Sequence, residues 1–234
     1  MRGSDILHRL EEGAKVEEMV EEAIKNRALL NELFNGLSSS NPKVKFGSAK
    51  ALRSLSEKDP AALYADWEFF VKLLDSENNI LKWNAIDVVA NLTIVDSHSK
   101  FDGLFKKFYG YLYKGSLITA GHVVDNSGTI ALAKPDLQDK ITKELLRVEH
   151  VPLPTEECRN ILIGKTITAL DAYHAKLKDK DEVISFVKRQ LQNSRRATRV
   201  KAERLLKKLE KQQTKMTNKN NTCGADFKKR KKRV

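Results

Sequence analysis

The feature of this chain that most constrains its fold is a short pattern that returns along the sequence at intervals of 36 to 43 residues. In its clearest copy, Asp75 ends one apolar stretch, a polar turn follows, and Leu81-Lys82-Trp83-Asn84-Ala85 opens the next. A shift of 37 residues superposes Val44-Lys45-Phe46-Gly47-Ser48 on that segment, and further shifts of 38, 43 and 36 residues reach segments near His122, Gly164 and Val200. Recurrence at this spacing predicts an array of stacked supersecondary units.

The spacing of the apolar residues predicts that these units are helical. At 100° per residue, one side of the clearest copy is apolar and the other polar. The apolar side holds Ala85, Val88, Val89 and Leu92, and the polar side Asn84, Asp87 and Asn91. Proline marks the ends of helices, at Pro60, at Pro135 and in the run 151–154, which we interpret as a loop insertion behind the shift of 43. Strand-length runs of alternating polarity are not seen, so we assign no sheet.

The predicted architecture is all-α, an α-α superhelix of about five helix pairs spanning residues 1–211. Acidic helices occupy residues 1–40, a basic helix over 195–211 caps the array, and 212–234 forms a disordered basic tail. The first helix of each pair is expected at 26–37, 61–74, 100–114, 137–148 and 181–191.

The clearest copy resembles a HEAT repeat, a unit of the HEAT and armadillo class of α-solenoids. In that family an Asp ends the first helix, like Leu74-Asp75, and a Val-Arg type pair opens the second, like Leu81-Lys82. Val44-Lys45 and Thr198-Arg199 occupy the same slot in units one and five, whereas units three and four have Gly121 and Gly164 where Trp83 stands. The resemblance covers about residues 26–211 and implies that the second helices line a concave wall.

Composition places the chain among soluble, folded proteins. It has 234 residues, of which 41% are hydrophobic and 32% charged. Charge appears within the first five residues, before any apolar run, which is unlike a secretory signal, and Met1-Arg2-Gly3-Ser4 resembles a cloning remnant. Two separate cysteines predict a reducing compartment. We therefore expect an intracellular, cytoplasmic protein without a membrane span, and a nuclear one if the organism has a nucleus and the tail is an import signal.

The solvent sides of the second helices are the candidate binding surface. An aromatic residue beside carboxylate and amide groups on neighbouring helices suits contact with an extended peptide or a helix of a protein partner. The alternative is that Trp83 packs against the adjacent unit while the polar residues form an ordinary solvated face. The candidate contact residues are Phe46, Lys50, Trp83, Asp87, Asn91, His122 and Asp125.

The basic C-terminus indicates a second possible function. Residues 195–234 hold 16 Lys and Arg against 3 Asp and Glu, which leaves 27 basic and 28 acidic residues in the rest of the chain. Such a basic excess can neutralise nucleic-acid phosphates, serve as a nuclear-import signal or merely solubilise a tail. The candidate nucleic-acid contacts are Arg195, Arg196, Arg199, Arg204 and Lys208 on the last helix, with Lys228, Lys229, Arg230, Lys231, Lys232 and Arg233 in the tail.

Signs of an enzyme are few. Trp83 and Asp87, four residues apart, resemble the Trp and catalytic Asp of the alkylpurine DNA glycosylases built from HEAT-like repeats, but the Arg and the further cleft aromatics of that family are missing. Neither His122 with Asp125 nor His174 with Asp171 has a third ligand nearby in sequence. The sequence therefore favours a non-enzymatic binding or adaptor module without a metal or cofactor, and it leaves the partner and the oligomeric state undetermined.

Overall fold

A computed structural model of the protein describes residues 6–177 and 180–211, and within these ranges it contains α-helices and short 3-10 turns but no strand. The predicted all-α fold is confirmed. We number the α-helices in chain order: α1 Ile6–Glu11, α2 Val16–Lys25, α3 Arg27–Gly36, α4 Pro42–Lys58, α5 Ala61–Tyr64, α6 Trp67–Leu73, α7 Asn79–Leu92, α8 Lys100–Gly110, α9 Leu117–Ala133, α10 Gln138–Leu146, α11 Glu156–Tyr173, α12 Asp181–Arg189 and α13 196–211.

After α1 and α2, the helices follow one another in five pairs. The first members are α3, α6, α8, α10 and α12, and the second members are α4, α7, α9, α11 and α13. Among α4, α7, α9 and α11, each second helix packs extensively on the next, whereas the first helices touch one another little. The predicted superhelix of helix pairs is confirmed, and we call the solvent-facing side of the row of second helices the inner wall.

A capping side chain at the start of α4, α7, α9 and α11 marks the repeat. Asn41 accepts a hydrogen bond from the Lys43 amide, and Asn78 accepts from two amides at the start of α7. Ser116 caps α9, and Thr155 caps α11. Each of these bonds satisfies an amide that has no partner inside the helix. Arg195 stands in the same position before α13, so successive cap positions are 37, 38, 39 and 40 residues apart.

The cap spacing corrects two predicted shifts. The shift between units three and four is 39 residues instead of 43, and the shift between units four and five is 40 instead of 36. Each error is four residues, about one helical turn. A slip of one turn leaves the apolar residues on the same side of the helix, so apolar phase alone cannot detect it. The proline-containing segment 151–154 does form the connection before α11, as predicted, but it does not lengthen the repeat.

Small residues let α9 and α11 approach closely. A Cβ on Gly128 would lie 3.0 Å from the Ala172 Cβ and 3.3 Å from the Ala169 carbonyl oxygen. Glycine at this position therefore sets the spacing of the two helices. Gly164 has the same role toward α13, because a Cβ there would lie 2.8 Å from the Thr198 hydroxyl. Gly164, which weakens the sequence resemblance in unit four, is therefore a packing residue.

A buried carboxylate ties three segments of the chain together. The Asp96 side chain is fully buried and pairs with the Lys134 ammonium at 2.8 Å. It also accepts hydrogen bonds from the Tyr64 hydroxyl at 2.6 Å and from the amides of Lys100 and Phe101 at 2.9 and 3.0 Å. Burial alone would raise the pKa of Asp96, but the hydrogen bonds from Lys134, Tyr64 and the two amides outweigh it, and the pKa is lowered. Asp96 thus holds α5, the start of α8 and the end of α9 in register.

No helix within the described residues is both long enough and apolar enough to cross a membrane.

Candidate functional site on the inner wall

The inner wall carries the same three positions on α7 and on α9. Residues seven apart lie on one side of a helix, because seven residues make nearly two turns. On α7 and the turn that follows it, this line is Ile80, Asp87 and Ile94, and on α9 it is Ile118, Asp125 and Leu132. The two lines are offset by 38 residues, the interval between the caps of these helices, so equivalent residues lie side by side.

The centre of the wall is a hydrogen-bonded network around Asp87. Its Oδ1 accepts from the His122 Nδ1 at 2.8 Å and from the Asn126 Nδ2 at 2.7 Å. Its Oδ2 lies 3.5 Å from a guanidinium nitrogen of Arg53 on α4. One carboxylate therefore connects three consecutive second helices. Asn126 was not among the predicted residues, although its place one turn after His122 on the same side of the helix would have indicated it.

Trp83 is held in place by two contacts with the next unit. Its indole Nε1 donates to the Thr119 hydroxyl at 3.0 Å. Its ring stacks on the His122 imidazole, with centroids 5.7 Å apart and planes 9° from parallel. Both rings are half-buried. Trp83 thus packs against the adjacent unit, as in the packing interpretation. The two stacked rings are still partly exposed to solvent.

The other predicted contact residues are spread along the wall. Phe46 is half-buried on α4, and Lys50 is exposed one turn further along. Asn91 donates to the Ser56 hydroxyl at 2.9 Å and so links α7 to α4. Asp125 is exposed and forms an ion pair with Lys165 of α11. One cluster therefore consists of Trp83, Asp87 and His122. The other predicted residues are not part of its hydrogen-bonded network: Phe46, Lys50, Asn91 and Asp125.

Exposed aliphatic side chains flank the cluster, and they were not among the predicted contact residues. Ile80 and Ile118 are 40% and 54% exposed, and Ile94 and Leu132 are 57% and 42% exposed. Of the six large apolar side chains that the described residues leave this exposed, these four belong to the α7 and α9 lines. They form two apolar edges, one at each end of the helices, that are 14 residues or about 21 Å apart along the helix axis. The signal in the sequence was the spacing of seven shared by both helices.

Between α9 and α11 the wall holds a shallow groove of about 180 Å³. Gly128, Ala169 and Ala172 form its floor, and Leu132 borders it. Next to the groove, the Lys201 ammonium donates to the Gly164 carbonyl at 3.0 Å. Burial and the nearby Lys165 lower the pKa of Lys201, and Asp125 opposes them. This side of the wall is more cationic than the part around Asp87.

The predicted nucleic-acid residues of the last helix separate into two groups. Arg195 pairs with Glu157 at 2.7 Å, and Lys208 pairs with Asp171 at 2.7 Å. Arg199 donates to the carbonyls of Asn193 and Ser194. These three residues are occupied within the molecule, while Arg196 and Arg204 are exposed. The predicted tail contacts lie outside the described residues: Lys228, Lys229, Arg230, Lys231, Lys232 and Arg233.

Within residues 6–177 and 180–211, His, Cys, Asp and Glu side chains do not come together in a group of three or more that could hold a metal ion. The pairs noted in the sequence are separate from each other. His122 turns toward Asp87 instead of Asp125, and His174 contacts the Asp171 carbonyl oxygen at 2.6 Å.

Comparison with known proteins supports the fold. The chain matches a designed armadillo repeat protein with a TM-score of 0.58 and 16% identity, covering 88% of this chain and 91% of that one. It matches an engineered protein with a TM-score of 0.52 and 15% identity, covering 90% of this chain and 98% of that one. No family model and no curated protein matches the sequence. The molecule is thus an armadillo-like helical repeat solenoid.

Proposed function

We propose that this solenoid is a non-enzymatic binding module and that the inner wall of α7 and α9 engages a segment of another protein. The observation that carries the proposal is the pair of aliphatic edges around a preorganised polar centre. Exposed aliphatic residues at equivalent places on adjacent helices form contiguous apolar surface, which typically marks an interaction site.

The polar centre would supply specificity. Trp83, His122 and Asp87 are held by bonds within the molecule, so they lose little conformational freedom when a partner binds. The Asp87 carboxylate already has three polar partners, and such a fixed network resembles a recognition surface more than a catalytic group awaiting a substrate. A base-excision role for Trp83 and Asp87 is for this reason not proposed.

The wall also constrains the shape of the partner. Its edges are about 21 Å apart, the length of a helix of about 14 residues. A partner helix lying along the α7–α9 seam would reach both edges and place polar side chains over the centre. An amphipathic helix in a groove is a common mode of protein recognition.

The experiment is a selection of 20-residue segments from a random displayed library on the immobilised protein, followed by fluorescence-anisotropy titration of the winners. Ile80→Asp and Ile118→Asp alter one edge, and both sites lie in first turns, where an acidic residue suits the helix. We expect each change to weaken binding at least tenfold, and circular dichroism of the bound segment to show helix.

The matched control is Tyr113→Asp, which changes an exposed apolar side chain in the turn after α8, away from the inner wall. It should leave affinity within twofold of the unmodified protein. Equal losses in the control and the edge variants would contradict the proposed surface. Selection of extended segments that ignore Ile80 and Ile118 would contradict the helical partner.

A further inference from the structure

The last helix bears a row of cations on the side that faces away from the core. Its buried residues are Thr198, Ala202, Leu205 and Leu209, which point toward the core. At 100° per residue, the opposite side of the helix is a narrow stripe. The stripe contains Arg196, Arg204, Lys207 and Lys211, all exposed, with the half-buried Val200 among them. We call these four cations the α13 ridge.

The ridge differs from other exposed cations of the described chain because its four charges lie in one row on a single helix. Elsewhere a cation of one unit often meets a carboxylate of the unit before it, as Lys107 meets Asp75 and Arg189 meets Glu149. For the four ridge residues, the described part of the chain shows no such ion pair. The carboxylates of this helix, Glu203 and Glu210, lie along one flank. Within the described residues, α13 is the last helix of the stack.

We infer that the α13 ridge is a binding surface for the sugar-phosphate backbone of a double-stranded nucleic acid. From Arg196 to Lys211 it runs 15 residues, or about 22 Å along a straight helix. Along the axis of duplex DNA, that length spans about six base pairs, at about 3.4 Å per phosphate of each strand. Aromatic side chains are absent from the ridge, so it offers no stacking platform for unpaired bases, which single-strand binding uses. Contacts to phosphates alone carry no sequence information.

A second copy of this chain fits the ridge less well. The acidic helices α1 and α2 are the obvious complement, but many of their carboxylates have partners inside the molecule. Glu22 and Glu18 pair with Arg9, and Glu21 pairs with Lys58. In the same region, Glu11 accepts from the Asn41 amide group and Glu12 contacts His8. The residues downstream of the ridge continue its charge, with six consecutive cations over 228–233. The phosphates of a polyanion can face all four ridge cations, whereas many carboxylates of α1 and α2 are already paired within their own chain.

The experiment measures binding of the full-length chain to two 30-base-pair DNA duplexes of unrelated sequence, by anisotropy between 50 and 300 mM KCl. The test variant replaces the ridge residues, as Arg196→Gln, Arg204→Gln, Lys207→Gln and Lys211→Gln. Each phosphate neutralised contributes about 0.9 to the slope of log K against log salt. We expect the slope of the variant to be shallower by about 3 to 4, its affinity at 50 mM to fall at least tenfold, and both duplexes to behave alike.

The matched control removes four exposed charges from the first-helix row and leaves the ridge intact. It combines Lys106→Gln, Lys140→Gln, Lys143→Gln and Lys188→Gln, so that its net charge equals that of the ridge variant. We expect the slope of this control to change by less than 1. A control that weakens binding as much as the ridge variant would show a general charge effect and overturn the inference.

Three further outcomes would also overturn it. The first is an undetectable affinity of the unmodified chain for either duplex, and the second is a ridge variant that binds like the unmodified chain, which would assign the binding to the residues beyond α13. The third is self-association in sedimentation velocity that is lost in the ridge variant, without any change in DNA affinity. Thermal unfolding of both variants checks that the solenoid is intact.

Discussion

Replacing Asp96 by alanine should be among the most damaging single changes outside the inner wall. Its carboxylate has no solvent exposure and has four polar partners, the Lys134 ammonium, the Tyr64 hydroxyl and two backbone amides. Asp96→Ala would leave the Lys134 ammonium, itself 12% exposed, without its carboxylate. Removing one partner of a buried ion pair costs about 3 to 5 kcal/mol.

That cost corresponds to a drop in Tm of roughly 6 to 20 °C, since 1 kcal/mol shifts the Tm of a protein of this size by about 2 to 4 °C. Differential scanning calorimetry and urea unfolding followed by circular dichroism measure it. Asp102→Ala is the control, because Asp102 is exposed in the first turn of the same helix, α8. It loses the favourable interaction with the helix dipole, about 0.3 to 1 kcal/mol.

The dependence on pH provides an independent check. The pKa of Asp96 is lowered in the folded protein, so its contribution is present above the unfolded value of 3.8 and is lost as pH falls through the folded pKa. The difference in unfolding free energy between the unmodified protein and Asp96→Asn should therefore be constant near neutral pH and shrink below pH 3.8. If Asp96→Ala and Asp102→Ala had equal Tm values, or if the difference grew in acid, the reasoning about this carboxylate would be refuted.

Three more results are expected. Asn78→Ala removes the cap of α7 and should lower the free energy of unfolding, measured in urea, by about 1 kcal/mol. Asn78→Ser keeps a capping oxygen and should lower it less. Identical urea midpoints for the two variants would contradict the capping role. Gly128→Leu should lower the free energy of unfolding by at least about 1 to 3 kcal/mol, because the new side chain meets Ala172. Gly103→Ala should raise it by up to about 1 kcal/mol, because a Cβ there meets nothing within 4 Å. A change of the same sign in both variants would contradict the idea that Gly128 sets the spacing of the helices. Burial raises the pKa of all five tyrosines, that of Tyr111 to about 12. Above pH 10 the folded chain should therefore hold more protons than the unfolded chain and lose stability as pH rises. The absorbance of tyrosinate at 295 nm should rise at higher pH in the folded protein than in guanidinium, and coincident titrations would contradict this.

The local pattern of the chain was sufficient to predict the five helix pairs, although the single helix predicted at 61–74 is divided into α5 and α6. Capping residues such as Asn78, prolines at helix ends and apolar residues on one side of each segment all act within a few residues, so a single sequence displays them. The first-helix ranges predicted at 100–114 and 137–148 match α8 and α10 together with their 3-10 extensions. Register in the less regular units was harder, because a slip of one helical turn leaves the apolar pattern unchanged.

The candidate site was only partly predictable. Trp83, Asp87 and His122 were identified as residues on one wall, but the contacts that join them cross from one unit to the next and depend on how closely the helices approach. The close packing of helices that Gly128 and Gly164 allow also determines which cations of the last two units form ion pairs with carboxylates. The sequence by itself determined an all-helical repeat array with a basic end. Only the tertiary structure decided which polar groups are tied inside the wall and which apolar edges and ridge charges stay exposed, because burial and pairing between units depend on spacing that no single helix encodes.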